Sequence, residues 1–111
     1  MKLFARLRQI REFERVQMPF LKSIVDFDIV IEIGYAEEEG QPLTLKQLLL
    51  LKLSSRTTVR RRLARLIEKG VVRRRKNSRD QRSSLLTVAS SSLKLFDKYH
   101  GVLASTFTIA K

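Results

Sequence analysis

The chain has 111 residues, the size of one domain, which can bury roughly two-thirds of the surface that its unfolded form exposes. It contains no cysteine, which excludes disulfides and thiolate metal sites, and its formal net charge of +12 favours an anionic partner such as nucleic acid. Apolar runs are too short for a membrane span, and residues 1–10 carry charges where a signal peptide needs an apolar centre, so we expect a cytoplasmic protein.

The first predicted element is an amphipathic helix, residues 1–18. Leu3, Leu7 and Ile10 recur at helical spacing, and basic side chains surround the rest of the segment. Such a helix alone would leave its apolar face in water, so it must pack on the body of the protein or on a second chain. Pro19 follows and suits the first turn of a new helix.

A second helix is predicted over residues 20–35, where apolar side chains lie nearly all round the helical wheel, as in a central buried helix. Asp28 could mark a break or a new start within it. The acidic run at residues 37–42 then closes the helix as a turn. Two interpretations of this run remain open, a solvated loop and a site for a partner.

Two further helices follow in the middle of the chain. Residues 44–50 are predicted as a short capped helix, and a tight connection leads to a longer helix at residues 55–69. Ser54 or Ser55 can cap the start of the longer helix. Gly70 can adopt the positive φ that ends many helices.

The longer helix has two different faces. Val59, Leu63 and Leu66, with Ile67, recur at helical spacing and should be buried. The opposite face carries hydroxyls and arginines, namely Thr57, Thr58, Arg61 and Arg65. For two side chains a structural role is the alternative to contact with a partner. Thr57 can support the helix N-terminus, and Arg62, which is nearer the apolar face, can lie along protein.

The segment after Gly70 predicts a β-hairpin with a long basic tip. Residues 71–75 form a β-branched run that turns basic, residues 76–84 are polar, and residues 85–88 have the composition of a second strand. Residues 56–82 hold twelve basic and two acidic side chains, so ten of the twelve net positive charges fall in this segment. Charge concentrated on one helix and one hairpin is typical of a nucleic-acid-binding surface.

Serines at residues 90–92 can cap a last helix, in which Leu93, Phe96 and Tyr99 continue an apolar helical spacing and Gly101 could introduce a bend. The predicted fold is mainly α with a small β-hairpin. It is a single winged helix-turn-helix domain, residues 1–111, with N- and C-terminal helices. Its parts are the N-terminal helix at 1–18, a DNA-binding core at 19–89 and the C-terminal helix at 90–111.

The segments LTLKQLLLLKLSSRTTVRRRLARLIEKGVVRRR and DQRSSLLTV resemble the DNA-binding core of the MarR-type transcriptional regulators. The resemblance covers about residues 28–90. One departure is Ala64, where an acidic residue is common in the family. The matching residues of the helix pattern are Ser55, Arg56, Thr58, Val59, Arg61, Arg65, Leu66, Glu68, Lys69 and Gly70, and those of the wing pattern are Asp80 and Arg82.

The resemblance implies specific roles for these positions. Thr57, Thr58 and Arg61 would face the major groove, Arg82 would enter a minor groove, and Asp80 would hold the wing arginine in place. Family members form two-fold dimers through helices from both ends of a longer chain, so we expect a homodimer. Many also respond to small aromatic effectors, although no residue here supports an effector site independently.

We therefore predict a sequence-specific double-stranded DNA-binding transcriptional regulator, with the helix at 55–69 in the major groove and the basic wing at 73–84 on the minor groove and phosphates. The predicted base contacts are Thr57, Thr58 and Arg61. The predicted phosphate or groove contacts are Ser55, Arg56, Arg60, Arg65, Arg73, Arg74, Arg75, Lys76, Arg79 and Arg82.

Other functions find less support in the sequence. His100 is the single histidine and no nucleophile motif accompanies it, so we do not predict an enzyme. The four glycines are too far apart for a phosphate loop, and no metal site or cofactor is predicted. Two alternatives remain open. One is a nonspecific architectural DNA- or RNA-binding protein, and the other is a winged-helix protein-interaction module.

Overall fold

The computed structural model describes residues 2–79 and 82–107. Five helices and one antiparallel hairpin follow one another in the predicted winged helix-turn-helix order, so the predicted fold class is confirmed. The elements are α1 (Leu3–Gln17), α2 (Ile24–Glu38), α3 (Leu45–Leu50), α4 (Arg56–Glu68), β1 (Val72–Lys76), β2 (Ser84–Val88) and α5 (Ser90–Phe107).

The core lies where α2, α3, α4 and the hairpin meet. Val59, Leu63 and Leu66 of α4 are each at most 1% exposed, as their helical spacing predicts. They pack with Ile33 of α2 and Leu48 of α3, both fully buried. Burying one complete face of α4 fixes the direction in which its opposite face points.

Local sequence signals set the ends of α3 and α4. The Thr44 hydroxyl accepts from the Gln47 N–H at 3.2 Å, and the Gln47 side chain accepts from the Thr44 N–H at 2.9 Å, which completes a capping box. Lys52, between the two helices, has a φ of 55°, a conformation that non-glycine residues rarely adopt. Gly70 ends α4 with a φ of 75°, as predicted.

The hairpin is attached to the helical core through β2. Val72 pairs with Val88 at its base and Lys76 with Ser84 towards its tip. The Val88 N–H donates to the Glu37 carboxylate at 2.6 Å, and the Leu86 N–H donates to a backbone carbonyl just before α3 at 2.8 Å. In the part of the chain that the structure describes, β2 is β1's one strand neighbour, so β1 is an edge strand.

The second helix begins and ends later than predicted. It spans Ile24–Glu38 because the Ser23 hydroxyl accepts from the Asp26 N–H at 3.3 Å and caps its start. Pro19 lies in a turn before this cap and not in the first helical turn, and Asp28 does not interrupt the helix. Part of the predicted acidic turn is therefore helical.

The prediction that α2 is buried all round is wrong. Ile29 and Ile33 are fully buried on one face. On the opposite face, Ile24, Ile31 and Tyr35 are 73%, 55% and 57% exposed. Apolar periodicity predicts that a surface needs to be covered, but one chain covers only the inner face of this helix.

The terminal helices pack against each other. The rings of Phe13 in α1 and Tyr99 in α5 stack with centroids 5.8 Å apart, and the Tyr99 hydroxyl donates to Glu14 at 2.5 Å. The helix α5 continues through Gly101. Within residues 2–79 and 82–107, no helix combines the length and apolar character needed to cross a bilayer.

Candidate nucleic-acid interface

The outward face of α4 is a basic surface. Arg56, Thr57, Arg60 and Arg61 are all exposed, and Thr58 is half-buried beside them. Ala64 is exposed as well, so this face carries no acidic side chain from residue 56 to residue 65. Four of the side chains that the sequence predicted to contact DNA therefore share one open surface.

Two hydroxyls at the start of α4 are linked to each other. Ser55 accepts the Thr58 N–H at 3.1 Å and its own hydroxyl donates to the Thr58 hydroxyl oxygen at 2.9 Å. Ser55 is thus the helix cap. Because Thr58 accepts from Ser55, its own hydroxyl proton is free to donate to an acceptor outside the helix.

On its inner side, α4 is held by a buried carboxylate in α2. Asp26 is fully buried, and its Oδ1 accepts from Arg62 Nε at 2.7 Å while its Oδ2 accepts from a second nitrogen of the same guanidinium. Oδ2 also accepts the Lys22 N–H at 2.8 Å. The structure thus supports the interpretation that Arg62 lies along protein.

Electrostatics make this contact an ion pair at neutral pH. Burial raises the pKa of Asp26, but hydrogen bonds from the Arg62 guanidinium and the Lys22 N–H outweigh burial and hold this pKa below its usual value. The same hydrogen bond raises the pKa of Arg62. Sequence analysis missed Asp26, although an aspartate within a predicted buried helix signals the need for a cationic partner.

Arg65 is placed differently from the prediction that it contacts phosphate. Its guanidinium donates to the Phe20 carbonyl at 2.9 Å and lies 3.8 Å from the Asp26 carboxylate. Only 23% of its side chain is exposed. Arg65 follows Arg62 by three residues, so both reach the same carboxylate.

The hairpin presents a second basic surface. Arg73, Arg74, Arg75 and Lys76 are consecutive and exposed on β1, so alternate side chains point to opposite faces of the strand. Charge therefore covers both faces of the wing.

Asn77 orders the base of the wing tip. Its amide donates to the Ser83 hydroxyl at 3.0 Å and its oxygen accepts from the Arg79 N–H at 3.0 Å. Sequence analysis missed this residue, because a single asparagine in a polar run gives no sign of its partners. Asp80, predicted to order the wing, lies outside the described residues, and its role stays a prediction.

A basic crevice joins the wing to the start of α3. It has a volume of about 380 Å³, and Lys46, Arg74 and Arg82 all line it. Sequence analysis missed Lys46, since it lies outside the basic segment and reaches the wing only through the fold. Three cationic side chains around one crevice are suited to an anion such as a backbone phosphate.

A helix-turn-helix followed by a basic hairpin defines the winged-helix class of nucleic-acid-binding folds. The transcriptional regulator Tm0710 from Thermotoga maritima is 22% identical over 89% of this chain and 67% of its own, with a TM-score of 0.67. MepR from S. aureus, solved as a DNA complex, is 13% identical over 95% of this chain and 81% of its own, with a TM-score of 0.73. A mutant of MarR from E. coli, solved with operator DNA, is 18% identical over 93% of this chain and 71% of its own, with a TM-score of 0.62.

These similarities show that the chain has the fold of the MarR-type regulators, as the motifs indicated. The matched proteins are transcriptional regulators and not enzymes. No protein-family model matches the chain, and no curated protein sequence matches it. At these identities the similarity is one of fold, so the chemistry of the interface depends on this chain's own residues.

Proposed function

We propose that this protein is a sequence-specific double-stranded DNA-binding transcriptional regulator, with α4 in the major groove and the wing at residues 73–84 on the minor groove and phosphates. The main support is that α4 and β1 both present exposed basic side chains while their apolar sides are fixed in one core. MarR and MepR, which have this fold, are solved with DNA.

Within this proposal, Thr57, Thr58 and Arg61 contact base edges. Of these three residues, Arg61 can distinguish between bases most strongly. An arginine that donates to both O6 and N7 of guanine gives about 1–3 kcal/mol of preference for guanine over another base. Thr58 accepts from Ser55 and therefore keeps its own hydroxyl proton to donate to a base edge.

The proposed phosphate and groove contacts give affinity without sequence preference. Two of the residues predicted to contact phosphate or a groove are not included in this proposal, because Ser55 caps α4 and Arg65 donates to the Phe20 carbonyl. Lys46 joins it through the basic crevice. The resulting contacts are Lys46, Arg56, Arg60, Arg73, Arg74, Arg75, Lys76, Arg79 and Arg82.

A homodimer completes the proposal. A two-fold dimer contacts two half-sites and doubles the phosphate contacts, so its operator is an inverted repeat. The matching half-site spacing is about one helical turn of DNA, roughly 34–36 Å.

Fluorescence anisotropy tests this function. The protein is titrated onto duplexes selected from a random pool and onto an unselected duplex, at several salt concentrations. We expect an inverted repeat to bind ~10³-fold or more above random DNA. Steeply salt-dependent but equal binding to all duplexes would instead identify an architectural protein, and equal competition by duplex RNA would point to recognition of backbone shape.

A further inference from the structure

Two arginine side chains tie α4 to the start of α2. Arg62 donates to both carboxylate oxygens of Asp26, and Arg65 donates to the Phe20 carbonyl, just before α2, at 2.9 Å. In the part of the chain that the structure describes, no other side chain of α4 donates a hydrogen bond to a different element. The directional contacts of α4 with the body of the protein therefore meet at one place, the first turn of α2 and the loop before it.

The carboxylate that receives Arg62 is itself held in one orientation. Asp26 is fully buried, and its Oδ2 also accepts the Lys22 N–H at 2.8 Å. The Asp26 N–H donates to the Ser23 hydroxyl at 3.3 Å, which fixes the backbone of the same residue. A planar guanidinium that binds both oxygens of a fixed carboxylate has a defined angle as well as a defined distance.

This pair limits the rotation of α4 about its own axis. The buried face of the helix is apolar, and the free energy of burying apolar area changes little over a rotation of a few degrees. A hydrogen bond, in contrast, weakens steeply when it is misaligned. Arg62 lies about 100° around the helix from the outward-facing Arg61, on the flank between the outward and the buried face. A directional bond on the flank of a helix opposes rotation in either direction.

Small rotations matter at a surface that reads bases. The outer ends of helical side chains lie roughly 5–6 Å from the helix axis, so a rotation of about 10° moves them by about 1 Å. Groups that bind specifically have to be held within about 0.5 Å of their productive position. Arg61, the proposed guanine contact, directly precedes Arg62 in the chain, so the pair acts on the backbone next to it.

We propose that Asp26 is a positioning residue for base discrimination. Through Arg62 it fixes the rotation of α4 and thereby aligns Arg61 with a base edge, although the buried carboxylate does not contact DNA itself. This role in specificity is separate from the contribution of the ion pair to stability. The proposal rests on the proposed function, because it requires α4 to lie in the major groove.

Arg62→Lys tests the alignment with the charge retained. Lysine keeps a positive charge beside Asp26 but cannot bind both carboxylate oxygens with a planar fork. In anisotropy titrations, we expect the ratio of affinities for a selected operator and an unselected duplex to fall roughly tenfold, about the preference that one arginine–guanine contact gives. Affinity for the unselected duplex should stay unchanged, because phosphate contacts supply it. An unchanged ratio would overturn the proposal.

The double variant Asp26→Asn with Arg62→Met separates specificity from stability. It leaves no unpaired buried charge, so it should be more stable than Asp26→Asn alone. It also lacks the two-point contact, so the operator preference should remain as low as in Arg62→Lys. If the preference returns together with stability in urea unfolding, Asp26 only stabilises the fold and its positioning role is wrong.

Val30→Ala is the matched control in the same helix. Val30 is 2% exposed and lines the crevice between α2 and Phe96 of α5, so its truncation leaves the Arg62–Asp26 pair intact. Loss of buried methyl groups should lower stability and leave the operator preference at the wild-type value. An equal loss of preference in Val30→Ala would show that any weakening of α2 has this effect, which contradicts the proposal. Circular dichroism verifies that each variant is folded at the assay temperature.

The wild-type titration distinguishes the two proposals. If wild-type protein binds all duplexes equally, the proposed function fails and the positioning role fails with it. If wild-type protein prefers the operator and both Arg62→Lys and the double variant keep that preference, only the positioning role of Asp26 is wrong.

Discussion

Replacing Asp26 with asparagine tests whether a buried ion pair holds α4 against α2. The substitution keeps the size of the side chain but removes the charge that pairs with Arg62, whose side chain is 20% exposed against 0% for Asp26. Breaking a buried pair by removing one partner destabilises a protein by about 3–5 kcal/mol. Because Arg62 keeps some access to water, we expect about 3 kcal/mol, the lower end of that range.

The assay is urea unfolding followed by circular dichroism, with Arg62→Met and the double variant completing a double-mutant cycle. The double variant should be less destabilised than the sum of the single variants, because it leaves no unpaired charge. If Asp26→Asn unfolds at the wild-type urea concentration, or if the two effects simply add, the ion pair does not stabilise α4.

The same variant should show a defined pH dependence. The pKa of Asp26 is lowered in the folded protein, so its contribution to stability is complete above the unfolded pKa. The contribution is lost as the pH falls below about 4 towards the folded pKa. Wild-type protein should therefore lose more stability than Asp26→Asn between pH 5 and pH 3, in about the range where free aspartate titrates.

Three further substitutions test the interface and the helix contact. Arg61→Ala should reduce the preference for operator over a mismatched site by about 1–3 kcal/mol in anisotropy titrations, whereas Arg75→Ala should weaken binding to all duplexes alike. An equal loss on every duplex from Arg61→Ala would contradict its role at a base edge. Lys46→Ala should lower the slope of log affinity against log salt by about 0.9, and an unchanged slope would remove Lys46 from the phosphate contacts. Burial and the hydrogen bond to Glu14 raise the pKa of Tyr99 from 10.0 to about 12. The contribution of Tyr99 to the stability of the fold is therefore complete below pH 10 and is lost as the pH rises towards 12. Tyr99→Phe should remove that alkaline loss of stability in thermal unfolding, and a persistent loss would assign it to another group.

Features set by neighbours in the sequence could be predicted from the sequence alone. The buried face of α4 follows from the spacing of Val59, Leu63 and Leu66, and its ends follow from Ser55 and Gly70. The hairpin follows from a β-branched run and a second strand-like run on either side of a polar segment. In each case the physical cause lies within a few residues of the effect.

Features that depend on distant partners could not be predicted. Arg65 lies on the hydroxyl and arginine side of the helical wheel, yet Asp26 and Phe20 hold it against α2. Lys46 joins the basic surface only because β2 brings the wing beside α3. For α2, periodicity indicated that both faces need covering, but it could not show that one chain covers only the inner face.

The position of β1 at the edge of the sheet has a consequence for solubility. An edge strand exposes unpaired backbone groups to which another molecule could add a strand, and this is a common route to aggregation. Four consecutive positive side chains, Arg73 to Lys76, repel a second copy of the same strand. The charges that favour phosphate thus also protect the wing from self-association at high protein concentration.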